Sequence, residues 1–253
     1  MTLPSTRPAS LRALALAALL GSALIPSLAQ SSPQVDNPTV PPVAVPIDFQ
    51  PAKSQLPPIP MPPDRAADSY HIYSVLLPVG ELGGPGWPRK LWLLSDTTVP
   101  LVPPDQPCLA QEIDGINMNP HVAIIPPPDR VQDFNELLDD FDHRCHESIQ
   151  LTAESFNLVV PLRLLNQTEQ DEFIRSRFDP NASSDADVLT AHYKGAPGLS
   201  RFSEVYFNAH HTVAMVYATS WCGGLCAQSY WEVLAFEDGA WKPLGWRSAA
   251  VMS

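Results

Sequence analysis

Ser200–Trp246 reads SRFSEVYFNAHHTVAMVYATSWCGGLCAQSYWEVLAFEDGAWKPLGW, and three runs within it, Phe202–Phe207, Thr212–Trp221 and Ser229–Phe236, are rich in β-branched and aromatic residues. Turn-forming residues separate them: Asn208-Ala-His-His211, Cys222-Gly-Gly-Leu-Cys226 and Glu237-Asp-Gly239, with a fourth run opening at Trp241. Such runs bounded by such turns predict an antiparallel β-meander. The Cys-Gly-Gly-Leu-Cys segment forms one of its hairpin tips.

Upstream of the meander the pattern is helical. Tyr70, Tyr73, Leu76 and Leu77 share one face of a helix that Asp64 would cap, and Val131, Phe134, Leu137, Leu138 and Phe141 mark a second between Arg130 and His146. A short strand is expected at Leu91–Leu94 and another around Val159–Leu164. Asn166 or Thr168 then caps a third helix through Arg177, with Glu169, Asp171 and Glu172 in its first turn, where the helix dipole favours acids. Pro100–Pro128 carries Cys108 and little regular pattern, and Asp179–Asp187 reads as a polar loop. The fold class that follows is α+β, with the meander packed on one face against a few amphipathic helices.

The chain begins with Arg7 and Arg12, continues through an apolar run from Leu14 to Ile25, and reaches the small-x-small site Ser27-Leu-Ala29. That order is the signature of a secretory signal peptide over residues 1–29. Gly21, Ser22 and Pro26 interrupt the run, which is too short for a membrane span. Residues 30–64 hold eleven prolines, which remove backbone donors and favour extended conformations, so a disordered proline-rich linker is predicted there. Residues 65–253 then make a single secreted domain. Localisation is read as exported, periplasmic or extracellular.

Residues 1–29 carry two arginines and no acid, so the net charge of −12 becomes −14 on cleavage. A field of that sign disfavours nucleic acid and anionic membrane surfaces as partners. Four cysteines in an exported chain are most simply two disulfides, and three pairings are open to them. Cys222–Cys226 is favoured by the Gly-Gly-Leu spacer, leaving Cys108–Cys145. On the loop-entropy model the first contributes about 2 kcal/mol and the second about 4.

Tyr73-Ser74, Leu93-Leu94-Ser-Asp96-Thr97-Thr98, Phe141, Leu199-Ser200-Arg201, Val205-Tyr206-Phe207-Asn208, Ala214-Met215-Val216-Tyr217, the Cys222–Cys226 tip and Trp241-Lys242 resemble a group of uncharacterised exported bacterial proteins. The resemblance spans roughly Tyr70 to Ser253. It implies a secreted α+β domain and brings no activity or catalytic residue.

Local motifs for catalysis are absent: there is no Gly-x-Ser-x-Gly elbow, phosphate-binding glycine loop, zinc-protease helix or dinucleotide fingerprint. Cys222 and Cys226 could be a redox or soft-metal pair, but they lie between strands rather than at a helix N-terminus, and a structural disulfide is preferred. His143 and His146, three apart on a helix, read as its solvated C-terminal end, and His210-His211 as a turn. Asn166-Gln-Thr168 and Asn181-Ala-Ser183 match the glycosylation pattern and carry no weight without a suitable host. Trp221, Tyr230 and Trp231 flank the cysteine tip and are the candidate binding surface, for a protein or glycan partner, while core filling and cross-strand pairing are the preferred reading of these aromatics. No cofactor, metal or catalytic residue is expected. The reading leans towards a binding domain, with a hydrolase or a redox or metal enzyme of dispersed site as the alternative.

Overall fold

The structure, a computed structural model, describes residues 56–78, 90–108, 112–113, 116–117, 119–178, 193, 195–196, 198–223, 226–246 and 251–252. All belong to the unit Asp48–Ser253. The expected signal peptide, most of the proline-rich linker, Asp179–Asp187 with its Asn181 site, and the glycine-leucine centre of the cysteine tip lie outside the described residues. The last residues assigned to the linker are structured, because β1 (Ile59–Pro60) pairs in parallel with β5 (Ile149–Gln150).

α1 (Pro63–Leu76) starts on a proline rather than on an aspartate cap. Pro62 is extended, Pro63 occupies the first turn, and no side chain caps the helix. Proline is at home there because its missing N–H would have had no helical partner. β2 (Trp92–Ser95) is followed by a small hairpin of β3 (Glu112–Ile113) and β4 (Ile116–Asn117), then by α2 (Pro120–Ala123), whose His121 N–H is capped by the Asn119 side chain. α3 (Val131–Arg144) is the second amphipathic helix, with Phe134, Leu137 and Phe141 buried. β6 (Leu162–Leu165) precedes α4 (Gln167–Phe178). Asn166 caps α4 reciprocally: its side chain accepts from Glu169 N–H while Glu169 accepts from Asn166 N–H, each at 3.0 Å.

β7 (Leu199–Phe202), β8 (Tyr206–Phe207), β9 (Val213–Gly223), β10 (Cys226–Glu237), β11 (Ala240–Pro243) and β12 (Val251–Met252) complete the order. The meander is present in β9, β10 and β11. Asp238 and Gly239 both take positive φ in the two-residue turn between β10 and β11, which is what a tight hairpin with right-handed twist requires. The main sheet runs β11-β10-β9-β7-β2-β6, with β8 continuing β7 along β9 and β12 joining β10. It is mixed: β7 is parallel to β2 and β2 to β6, while the remaining pairs are antiparallel. Parallel partners need long crossovers, here running through α3 and α4.

Helices cover both faces of this sheet, not one. Leu94, Phe202, Val216, Leu234 and Trp241 pack with Tyr70, Tyr73, Leu76 and Leu77 of α1. Their strand neighbours, which point the other way, include Met215, Tyr217, Trp231 and Val233, and these pack with Phe134, Leu137 and Phe141 of α3. Leu93 and Leu199 meet Phe173 of α4. The reason is visible in β10, where the adjacent pairs Tyr230-Trp231 and Val233-Leu234 are buried, as is Glu232 between them; neighbours in a strand point to opposite faces, so this strand is buried on both.

Cys108 and Cys145 form a disulfide across a sequence separation of 37, tying the long loop to the end of α3. Cys222 is also disulfide-bonded, and no described cysteine is free. Among the described residues no helix is long and apolar enough to cross a membrane.

Trp231 is fully buried against Phe141, Tyr206 and Tyr217. Trp231→Ala is therefore expected to lower the unfolding free energy by about 3–5 kcal/mol, the range for deleting a large aromatic from a core. Urea unfolding checks this, and a change under about 0.5 kcal/mol, typical of an exposed position, would contradict the packing.

Candidate functional site

A charged clasp at the edge of β8 and an open cleft on the outer side of α1 carry polar chemistry outside the plain core.

The clasp begins with a break in the run Phe202–Phe207. Phe202 pairs with Ala218 and Tyr206 with Met215, so the three residues Ser203, Glu204 and Val205 stand opposite only Tyr217 and Val216. This is a β-bulge, and it leaves backbone groups that the ladder cannot satisfy. Side chains supply the partners. The Ser203 hydroxyl accepts from Tyr217 N–H at 2.9 Å and donates to Glu204 C=O at 2.7 Å, while Tyr73 of α1 donates to Ser203 C=O at 2.9 Å. Arg65 of α1 donates to Val205 C=O, and Asp140 of α3 accepts from Phe207 N–H at 2.7 Å.

Arg65 and Asp140 are joined to each other by two hydrogen bonds of 3.0 and 2.6 Å, and the guanidinium lies over the Phe207 ring at 5.0 Å. Further along α3, Glu136 accepts from Ala209 N–H and Asp133 from the Asn208 side chain, each at 3.1 Å. One face of α3 thus serves as the partner that β8 lacks.

Glu204, 2 % exposed, lies inside the bulge. Its Oε1 is 3.1 Å from Arg144 Nη1 and 3.5 Å from Arg65 Nε, whereas Oε2 has no hydrogen-bond partner. Arg144 also meets Glu147 at 2.9 Å and Asp140 at 3.3 Å. Two arginines therefore face three carboxylates. Burial pushes the Glu204 pKa up, the two arginines pull against it, and the charge of Glu147 adds to the rise, giving about 8. Burial works against the charge of Arg65 as well, but hydrogen bonding and attraction to Asp140 hold its pKa above the ordinary value. A pKa of about 8 favours the protonated form of Glu204 at neutral pH, and in that form the remaining four charges cancel.

The cleft holds about 490 Å³ and is lined by Ala66, Ala67, Tyr70, His71, Ser155 and Asn157. Its far wall is fastened to α1: the Tyr70 hydroxyl accepts from Thr152 N–H and the Ser74 hydroxyl from Asn157 N–H, both at 3.0 Å. Phe156 packs edge-on against Tyr70 at 5.1 Å. The two alanines keep the floor low, while an imidazole, a hydroxyl and a carboxamide provide donors and acceptors without a fixed charge.

The structure does not bring the expected aromatics together as a surface. Trp231 is fully buried on the α3 face, Tyr230 is buried on the α1 face, and Trp221 is half-buried with its ring against Phe173. Tyr230 and Trp231 are neighbours in a strand and must point to opposite faces. His143 and His146 diverge as well, the first donating to Asp139 C=O on the exposed side and the second turning to Val102 and Cys108. His211 lies in the β8–β9 turn with φ 52°, stacked on Phe207 at 4.6 Å, as the turn reading of His210-His211 expects. The clasp and the cleft were not found by sequence reasoning. Arg65, Asp140 and Glu204, or Ala67 and Ser155, are far apart along the chain, and the one local hint was a charged Arg65 in a helix otherwise read by its apolar face.

Compared with protein-family models, curated proteins and solved structures, the chain matches none.

The raised Glu204 pKa gives stability a pH dependence. An unfolded glutamate loses its proton near 4.5 and the folded one near 8. Between those values the folded state holds a proton that the unfolded state lacks, so the contribution is fullest below the lower value and is lost as pH rises through the upper one. The loss is at most about 1.4 kcal/mol per pH unit. Glu204→Gln, which keeps the shape and removes the titration, is expected to flatten this fall between pH 5 and 9 in denaturant unfolding. Identical slopes in the two proteins would refute the assignment.

Proposed function

We propose that the protein is exported and acts outside the cytoplasm as a binding domain, holding a short neutral protein segment in the cleft along α1. The observation that supports this reading most is the cleft itself: it is open, preassembled and has no carboxylate, lysine or arginine in its lining. An alanine floor allows a backbone to come close, and the Ser155, Asn157 and His71 side chains can hydrogen-bond an extended peptide. Pinning of residues 152–157 to α1 by Tyr70 and Ser74 lowers the ordering cost of binding.

Export is supported by the signal-peptide pattern of residues 1–29 and by a disulfide-bonded fold. The proline-rich stretch 30–55 would then serve as a spacer that holds the domain away from its point of attachment or release. Net charge of −14 on the cleaved chain suits an uncharged partner better than an acidic one. A catalytic reading would call on Glu204, whose pKa is displaced as those of catalytic acids are. That carboxyl is buried and does not line the cleft, so it is better understood as part of the clasp.

The test is an NMR titration of the ¹⁵N-labelled cleaved chain with neutral tri- to hexapeptides and, separately, neutral oligosaccharides. Peptide-induced shifts centred on Ala66, Ala67, His71, Ser155 and Asn157 are expected. Ala67 is exposed, so Ala67→Trp should weaken binding at least tenfold, about 1.4 kcal/mol, with little change in unfolding midpoint. Shifts located elsewhere, a response to oligosaccharides alone, or binding unaffected by Ala67→Trp would overturn the reading.

A further inference from the structure

Cys108, Cys145 and His146 meet where the long loop reaches the C-terminal end of α3, and we propose that after reduction of the Cys108–Cys145 disulfide these three side chains bind a zinc ion. Their ligand atoms, the two sulfurs and an imidazole nitrogen, all lie within 4.8 Å of one another. His146 Nδ1 donates to Val102 C=O at 3.0 Å, which leaves the lone pair of Nε2 directed at Cys108 Sγ, 3.6 Å away. A hydrogen bond from the distal ring nitrogen to a carbonyl is the usual support for a metal-binding histidine.

The spacing agrees with zinc chemistry. For a tetrahedral ion with Zn–S near 2.3 Å and Zn–N near 2.05 Å, sulfur and nitrogen ligands lie about 3.6 Å apart and two sulfurs about 3.8 Å apart. The nitrogen is already at that distance from Cys108 Sγ. The two sulfurs have to separate, and Cys145 Sγ, within 4.8 Å of the imidazole nitrogen, has to settle at its own ligand distance.

The ligands are held by bonds other than the disulfide. Leu101 and Val102 N–H donate to Cys145 C=O at 2.9 and 3.3 Å, Cys145 N–H donates to Phe141 C=O at 2.9 Å, and the Asn119 side chain donates to Cys108 C=O at 3.0 Å. Both cysteines are buried and His146 is half-buried, so the imidazole side faces solvent and a water can fill the fourth position.

Charge selects the ion. Cys108 Sγ lies 3.2 Å from Asp142 C=O in the last turn of α3, the negative end of the helix dipole. Free thiolates are disfavoured there and a cation is favoured. Two thiolates, a neutral imidazole and a divalent ion sum to zero, whereas a monovalent copper would leave a net negative centre at that end.

The chemistry balances with a dithiol reductant. The dithiol gives two electrons and two protons, the Cys108–Cys145 bond breaks to two thiols, and the reductant closes to its own disulfide. Zinc then forms two Zn–S bonds and one Zn–N bond and releases the two thiol protons to solvent. Where oxidant prevails the disulfide excludes the metal, which makes the site redox-gated.

The test uses the cleaved chain with Cys222→Ser and Cys226→Ser, so that only one dithiol is available. It is reduced with a dithiol, desalted without oxygen and titrated with Co(II) as a spectroscopic substitute, then with Zn(II) in competition. One equivalent of Co(II) is expected, with a sulfur-to-metal charge-transfer band that zinc abolishes. Zinc should also raise the melting temperature of the reduced protein by several degrees. His146→Ala leaves the disulfide and both cysteines in place and should weaken binding at least tenfold. No binding by the reduced protein, equal binding by His146→Ala, or equal binding by the oxidised protein would each overturn the proposal.

Discussion

An open strand edge is the constraint to which much of this structure answers. Among the described residues, β8 pairs with β9 on one side and with no strand on the other. Its outward Val205 C=O and Phe207 N–H would each cost about 1–3 kcal/mol if buried without a partner. The Arg65–Asp140 pair presents one donor and one acceptor to those two groups and so replaces a neighbouring strand. A buried ion pair is expensive to desolvate. Here the expense is offset because each ion also satisfies a backbone group and Arg65 covers the Phe207 ring.

That replacement also joins the layers. α1 packs on one face of the sheet and α3 on the other, and their side chains can meet only around an edge. The bulge at Ser203–Val205 provides the place, by turning Glu204 into the gap between Arg65 and Arg144. A third carboxylate among two arginines would leave a net negative charge in a poorly solvated position, and a retained proton on Glu204 removes it. The closure is therefore firmest below the pH at which that proton leaves.

α1 has two polar duties on different sides. Inward, Arg65 and Tyr73 serve the bulge; outward, Tyr70 and Ser74 hold residues 152–157 and so shape the cleft. The cysteine-tied loop contributes a separate centre, in which His146 is oriented by Val102 towards a sulfur. In both places backbone hydrogen bonds fix the groups in advance.

The sequence by itself determined the α+β class, the β9–β10–β11 meander with its Asp-Gly turn and the amphipathic face of α3; it narrowed the α4 cap to Asn166 or Thr168 and favoured Cys108–Cys145 among three pairings, and the structure made both choices. Each depends on periodicity, local turn chemistry or a short count of cysteines, all of which act over a few residues or allow few alternatives. Only the tertiary structure decided that the run Phe202–Phe207 breaks at a bulge, that β2 and β6 add in parallel, and that helices cover both faces. It also decided between the two readings of Tyr230 and Trp231, placing both in the core, on opposite faces of the sheet, rather than on a surface beside the hairpin tip. The physical reason is common to these cases. Which strand lies alongside another, and which charge closes an edge, depends on partners distant in the chain, and such pairings leave no period in the sequence. Arg65, Asp140 and Glu204 look like ordinary surface charges until the fold places them around one strand.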